Sequence, residues 1–245
     1  MIYHAAQLAD KMTDALTQGD QAKFEEYDDK LGFYTPILKG FLTELGLEAA
    51  NHGMQVFGGH GYIKEHGMEQ IARDARIATL YEGTTGVQAL DLIGRKVLLS
   101  SKGKVVRDYT AEILRFCGRH APNKYMRRFA WDLTKICAQW NALTVRLMLA
   151  ARKDRDIVSS ASVDFLMFSG YAMMAYYWAQ QAAVASEKLE AGNGAETPEF
   201  YKAKIKVADF YFERILPRTQ GHAEAMVNPS KTMMSLAPEH FSFDY

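Results

Sequence analysis

The chain has 245 residues, 48% of them hydrophobic, and its 29 basic residues balance 29 acidic ones. That is apolar material for a large core or two compact units, and zero net charge removes the electrostatic case for nucleic acid or an anionic membrane as partner. Cys117 and Cys137 fall in segments that read as buried helix, which points to a reduced, cytoplasmic protein and away from a disulfide scaffold or a zinc site.

Strand signals are almost absent, so the fold class predicted is all-α, an antiparallel helical bundle followed by a second one. The first helix, from Met1 to Thr17, sets Ile2, Ala5, Ala9, Met12 and Leu16 on one stripe. It lacks the cationic start and small-residue cleavage site of a signal peptide. Gln18-Gly19-Asp20 ends it, and a polar connection follows through Asp28 and Asp29. Thr35-Pro36 then predicts a new helix start, threonine capping and proline at the first helical position. Its buried face would be Leu38, Phe41, Leu42, Leu45 and Ala49, running toward Gln55.

From Gln55 to Gln88 the chain is not written like ordinary packing. The glycines Gly58, Gly59 and Gly61 allow positive φ or close backbone approach, which serves a tight connection as readily as a ligand. His52, His60 and His66 lack the Cys or carboxylate spacing of a metal site and read as surface or loop histidines. Arg73, Asp74 and Arg76 share a helix with Ile71, Ala72, Ala75 and Ala78, and read as a salt-bridged structural feature, with help from Arg73 in orienting the loop that carries Glu82 as the alternative. Then comes Tyr81-Glu82-Gly83-Thr84-Thr85. Thr84 or Thr85 is a good N-cap, and Thr85-Gly86-Val87-Gln88 reads as a capping box, so a helix starts directly after Glu82. The positive helix end favours a carboxylate there, while Leu80 and Tyr81 would desolvate it and push its pKa upward. Those opposing influences suit a general base, and they equally describe a solvated glutamate at a helix start.

The next helix would bury Val87, Leu90, Gly94, Val97 and Leu98 and fade at Ser100-Ser101-Lys102-Gly103. That polar stretch is the predicted boundary between a segment 1–102 and a segment 103–245. Beyond it come a helix from Tyr109 to Arg119 and a long one from Lys124 to about Arg152 with a seam of Met126, Phe129, Leu133, Ile136, Trp140, Leu143 and Leu147. The uncharged run from Phe165 to Ser186 approaches the roughly 20 residues of a membrane span. Its internal Ser169, Gln180, Gln181 and tyrosines make it a helix buried in a bundle instead. Gly192-Asn193-Gly194 stops it, Thr197-Pro198 starts another with a seam of Tyr201, Ile205, Ala208, Phe212 and Ile215, and the tail's Met233, Met234, Leu236 and Phe241 are expected to dock on the bundle.

The run QVFGGHGY, then RDARI, then YEGTTGVQALDL, in that order, resembles the C-terminal helical domain of the acyl-CoA dehydrogenases. The helices after it are similar to the C-terminal extension in the branch containing 3-methylmercaptopropionyl-CoA dehydrogenase. The resemblance implies that the chain begins within the second long helix of a four-helix domain, without the N-terminal helical and middle β domains that build most of the flavin and acyl-CoA pockets. It implies FAD as cofactor, an acyl-CoA substrate, an electron-transfer flavoprotein as acceptor, and a homo-oligomer in which Gln55, Gly58 and Gly59 reach the flavin of a neighbouring subunit. By position Glu82 would be the base that takes the α-proton, its own N–H half of the oxyanion site, and Thr84 a flavin contact. Gly86 falls in the same cofactor-binding set, with one departure: better-known relatives often have glutamine there, which leaves Gln88 open as a substitute. An acyl-CoA oxidase, which hands electrons to oxygen, and a helical assembly module without catalysis are the rival readings. The isolated chain is expected to be inactive without the missing parts.

Overall fold

A computed structural model describes residues 1–241, the side chain of Met234 excepted. Among the described residues there is no strand; the chain is a stack of helices around one continuous core from Ala5 to Met226.

Helix α1 (Ile2–Thr17) packs on α2 (Gln21–Val56) through Ala5, Leu8 and Ala15, while Ile2 and Leu16, at the ends of the expected stripe, are exposed. The start expected at Thr35-Pro36 does not occur. Instead α2 begins at Gln21, capped by Asp20, whose carboxylate accepts from the Lys23 N–H at 3.1 Å, and it runs through Pro36 without a break. Proline inside a helix costs about 3 kcal/mol; here Phe33, Tyr34, Pro36, Ile37 and Phe41 are all buried and their packing offsets it. Thr35 does not cap, because its hydroxyl bonds back to the Leu31 carbonyl at 2.8 Å. The acidic stretch is helical, braced by i,i+4 pairs such as Gln21 with Glu25 and Lys30 with Glu26. Further along, Ala50 is buried where Ala49 was expected.

After the short α3 (Gly59–Tyr62) and a 3₁₀ turn (Lys64–His66) come α4 (Met68–Ala78) and α5 (Thr85–Leu90). The latter continues as wider π-type turns over Asp91–Ser100. This element buries Ala89, Leu92, Ile93 and Val97 and leaves Val87 and Leu90 exposed, so the inward face is displaced from the one expected. Lys102 and Gly103, both at positive φ, turn the chain into α6 (Lys104–His120), and the Gly103 N–H closes the turn on the Val97 carbonyl at 2.8 Å.

Helix α7 (Arg127–Ala150) buries every seam residue the periodicity names, from Met126 to Leu147. Helix α8 (Asp156–Ala191) is the axis of the molecule, touching α2, α5, α7, α9 (Pro198–Phe210) and α10 (Arg218–Met226). It is the one described helix long and apolar enough to cross a membrane, and 61% of that apolar window is buried inside the protein. Ser169 bonds to the Phe165 carbonyl at 2.7 Å and Tyr171 and Tyr176 are inside, which accounts for the polar residues of the run. Gly192 stops it at φ 62°, and Thr197 caps α9 by accepting from the Phe200 N–H at 3.3 Å. Of α9 and the π-type turn after it, Ile205, Ala208 and Phe212 are buried and Tyr201 and Ile215 half-buried.

The tail departs from expectation. Met233, Leu236 and Phe241 are exposed; the segment after Pro217 docks through Ala223 and Met226 of α10 instead, and Ser230 donates to the Asp154 carboxylate. The Met234 side chain lies outside the described residues. Both cysteines are free and buried, and burial pushes the Cys137 thiol up to about 12.

Candidate functional site

The loop from Thr79 to Thr84 joins the end of α4 to the start of α5, and both ends are held by α2. At the α4 end, Lys39 Nζ donates to the Ala78 carbonyl at 2.8 Å and lies 5.8 Å from the centroid of the Tyr81 ring. Arg76 reaches the hydroxyl of buried Thr79 at 2.5 Å, tying the last turn of α4 to the first loop residue. At the α5 end, Thr84 is the cap, its hydroxyl accepting from the Val87 N–H at 3.4 Å. The capping box expected from Thr85 to Gln88 does not form. Thr85 donates instead to the Glu44 carboxylate at 2.5 Å, and the Gln88 amide reaches back to the Glu82 carbonyl at 3.2 Å. A cation thus faces the negative end of one helix and an anion the positive end of the next.

Between these ties Glu82 sits at φ 54° and Gly83 at φ 91°. Left-handed backbone costs a residue with a Cβ about 1–2 kcal/mol, so Glu82 is held in a conformation it would not choose. Gly83 is favoured by that φ, and a Cβ there would also displace the Gln88 amide, 2.7 Å away at the end of a flexible side chain. The Glu82 carboxylate is exposed. Leu80 and Tyr81, 46% and 52% exposed, do not enclose it, so the desolvating wall expected from sequence does not form within this chain. The Glu82 N–H donates to no acceptor among the described residues.

The glycine turn, between α2 and α3, is a second exposed feature. Gln55, Gly58 and Gly59 are exposed; Gly58 has φ 59° and ψ −142°, a region in practice reserved for glycine. A Cβ at Gly58, Gly59 or Gly86 would meet nothing within 4 Å, whereas one at Gly61 would run into the Met54 carbonyl. Gly61 is therefore a packing glycine, and the others present bare backbone outward. The Gly58 N–H is taken by the Gln55 carbonyl at 3.0 Å, which closes the turn. Exposed backbone without side chains, with open space at Gly58 and Gly59, lets a ligand as large as FAD approach the main chain closely, so the residues present fit it. His60 and His66 stack edge to face at 5.4 Å on the surface. Arg73 pairs loosely with Glu69 at 3.9 Å and does not touch the Glu82 loop, a part taken by Arg76.

A cavity of about 600 Å³ between α1, α2 and α6, lined by His4, Lys96, Tyr109 and Glu112 among others, includes none of these residues. The exposed Glu82 loop, a ridge between α4 and α5, lies outside that cavity. Sequence reasoning missed Lys39 and Glu44, which stand 39 and 41 positions from their partners. No local pattern marks such pairs.

Two family models match the chain: residues 1–98 match the acyl-CoA dehydrogenase C-terminal domain, and residues 109–237 match the family described as acetyl-CoA dehydrogenase C-terminal like. Among curated proteins, the chain is 35% identical to 3-methylmercaptopropionyl-CoA dehydrogenase of Ruegeria pomeroyi over 83% of its own length and 34% of that protein. It is 32% identical to the broad-specificity linear acyl-CoA dehydrogenase FadE5 of Mycobacterium tuberculosis over 82% of its length and 34% of that protein. A shorter match, 33% identical over 38% of the chain and 21% of the relative, is to the caffeyl-CoA reductase-Etf complex subunit CarC of Acetobacterium woodii. The chain spans about a third of the length of the first two relatives, at 34% of each.

Proposed function

Since the chain belongs to the acyl-CoA dehydrogenase family, we propose that it is the C-terminal part of a flavin-dependent enzyme that oxidises an acyl-CoA thioester to the 2,3-enoyl-CoA. The observation that carries this reading is the Glu82 loop: an exposed carboxylate and an unengaged N–H on one residue, held at positive φ between two helices that α2 ties down.

Glu82 takes the proton from the α-carbon of the thioester, and its own N–H donates to the thioester carbonyl as negative charge builds on that oxygen. A positioned base contributes on the order of a hundred- to ten-thousand-fold, and one such donor about 3 kcal/mol. Because Leu80 and Tyr81 leave Glu82 open, water is excluded from it only when substrate and other parts of the site cover the ridge. Gln55, Gly58, Gly59, Thr84 and Gly86 would hold FAD, the glycines by leaving room for it beside the main chain. FAD held there would supply the hydride acceptor for the β-carbon. Electrons then pass to an electron-transfer flavoprotein, in keeping with the CarC relative, whose name places it in an Etf complex. The exposed ridge fits a homo-oligomer in which the glycine turn serves a neighbouring subunit's flavin, and the free buried thiols fit a cytoplasmic setting.

The test is Glu82→Gln in the flavin-containing polypeptide that carries this sequence. Turnover of acyl-CoA should fall by at least about a hundredfold while flavin content, read from visible absorbance, stays that of the parent. Retained turnover would remove Glu82 from the role of base.

A further inference from the structure

Lys39 and Glu44 do not reach the Glu82 carboxylate, yet each fixes one end of the loop that bears it. Lys39 Nζ accounts for the Ala78 carbonyl at the last turn of α4, and the Glu44 carboxylate holds the Thr85 hydroxyl at the first turn of α5. The two residues are five positions apart on one continuous helix, which sets the tie points roughly 7–8 Å apart along its axis. The other ties at the α4 end are local, Arg76 to the Thr79 hydroxyl and the Leu80 and Tyr81 N–H groups to the Ile77 carbonyl, and none of them joins the loop to a distant element. Thr79 is buried, but Leu80, Tyr81, Glu82 and Thr84 are exposed, so apolar burial does not dictate the path of the backbone. A loop that open to water would relax from the costly φ of Glu82 unless its ends were fixed. The Gln88 bond to the Glu82 carbonyl comes from α5, whose register is set by buried Ala89, Leu92 and Ile93, while Glu44 fixes the Thr85 end at which the loop enters that helix.

We propose that Lys39 and Glu44 are positioning residues for Glu82: α2 clamps both ends of the loop and so sets where the carboxylate and N–H of Glu82 stand against the acyl thioester. This rests on the reading of Glu82 as base. An ordinary stabilising contact would change the unfolding temperature and leave the split between kcat and KM alone; a positioning contact does the reverse, since displacement of a reacting group by about 1 Å costs on the order of a hundredfold.

The experiment uses the flavin-loaded full polypeptide with Glu44→Ala, Glu44→Gln, Thr85→Val, Lys39→Met and Glu82→Gln, read by steady-state kinetics and by amide hydrogen exchange over the loop. Glu44→Ala should lower kcat by about ten- to a hundredfold with KM, flavin content and unfolding temperature nearly unchanged, and exchange should quicken at residues 80–84 alone. Glu44→Gln, whose amide oxygen still accepts from Thr85, should recover most of that loss. Glu44→Ala combined with Thr85→Val should be no slower than the worse single variant. Lys39→Met should act in the same direction from the other end. An unchanged kcat in Glu44→Ala beside an inactive Glu82→Gln overturns the clamp and spares the base. Faster exchange spread over the whole chain also overturns it, by showing a general stabilising role. An active Glu82→Gln overturns the base, and with it the catalytic meaning of the clamp, even where exchange at residues 80–84 quickens.

Discussion

Helices α4 and α7 both carry apolar residues at helical spacing, yet α7 buries its seam from Phe129 to Leu147 and α4 buries nothing. Ile71 and Ile77 of α4 are 52% and 54% exposed, while Trp140 of α7 is fully enclosed by Phe33, Tyr109 and Phe168. The same pattern has two outcomes because burial needs facing surfaces. Helix α7 is covered by neighbouring helices on its apolar side, whereas α4 has α2 against Met68, Ala72, Ala75 and Ala78 and nothing within this chain over Ile71 and Ile77 among the described residues. The difference teaches where stability and chemistry reside. The region around α7 and α8 is held by packing, which is cooperative and costly to disturb. The region around Glu82 is held by a few polar ties to α2, which shape a loop without burying it.

The contrast is sharpest for a large core deletion. Trp140→Ala should cost about 3–5 kcal/mol, seen as a large fall in the denaturant midpoint, while amide exchange at residues 80–84 below the transition stays as in the parent. The indole N–H of Trp140 has no partner among the described residues, so Trp140→Phe, which removes that buried group, should cost well under half as much. A smaller effect is expected at the loop. Gly83→Ala meets both φ 91° and the Gln88 amide, and should cost about 1–2 kcal/mol while loosening the loop and lowering turnover; an unchanged loop would break the comparison, since it would mean the polar ties do not depend on this geometry.

The smallest effect lies between the two regions, where Arg218 of α10 pairs with Glu48 of α2 at 2.7 Å. Burial would raise the Glu48 pKa, but hydrogen bonds from Arg218 and His52 outweigh it and hold the carboxyl below its ordinary value of 4.5. A depressed folded-state pKa contributes stability that is present above 4.5 and lost as pH falls through the folded value. Arg218→Ala should therefore cost less than about 1 kcal/mol at pH 7, and the gap from the parent should close as the solution is acidified through that range. A gap that widened in acid would reverse the sign of the linkage.

The sequence made the packed region legible in detail and the loop region only in outline. The α7 seam, the Gly192 stop and the Thr197 cap are local or periodic signals, and each is where the residues put it. Pro36 misled because its penalty is local and its compensation, burial against distant helices, is not. Choosing between Thr84 and Thr85 as cap depended on Glu44, since Thr85 is drawn to that carboxylate and leaves the cap to its neighbour. Ile2, Leu16, Val87 and Leu90 were assigned to buried faces by spacing alone, and spacing does not say whether a facing surface exists. Glu82 stands where the helix start required, but its φ of 54° and its open surroundings follow from tertiary ties that no local pattern encodes.

The turn at Lys102 and Gly103 has a consequence for how the chain can vary. Core contacts pass across it: Phe33 stacks on Trp140 at 6.2 Å, Tyr34 and Tyr177 share a hydrogen bond of 3.0 Å, and Gly40 leaves room for Leu166. Gly170 leaves the same room for Phe41. The backbone at the turn is thus a splice between two surfaces that already recognise each other. The two matched segments are bound to change together, so that a bulkier residue at Gly40 or Gly170 must be answered by a smaller one on the far side of the splice. Neither could be exchanged for the counterpart from a distant relative without bringing its partner along.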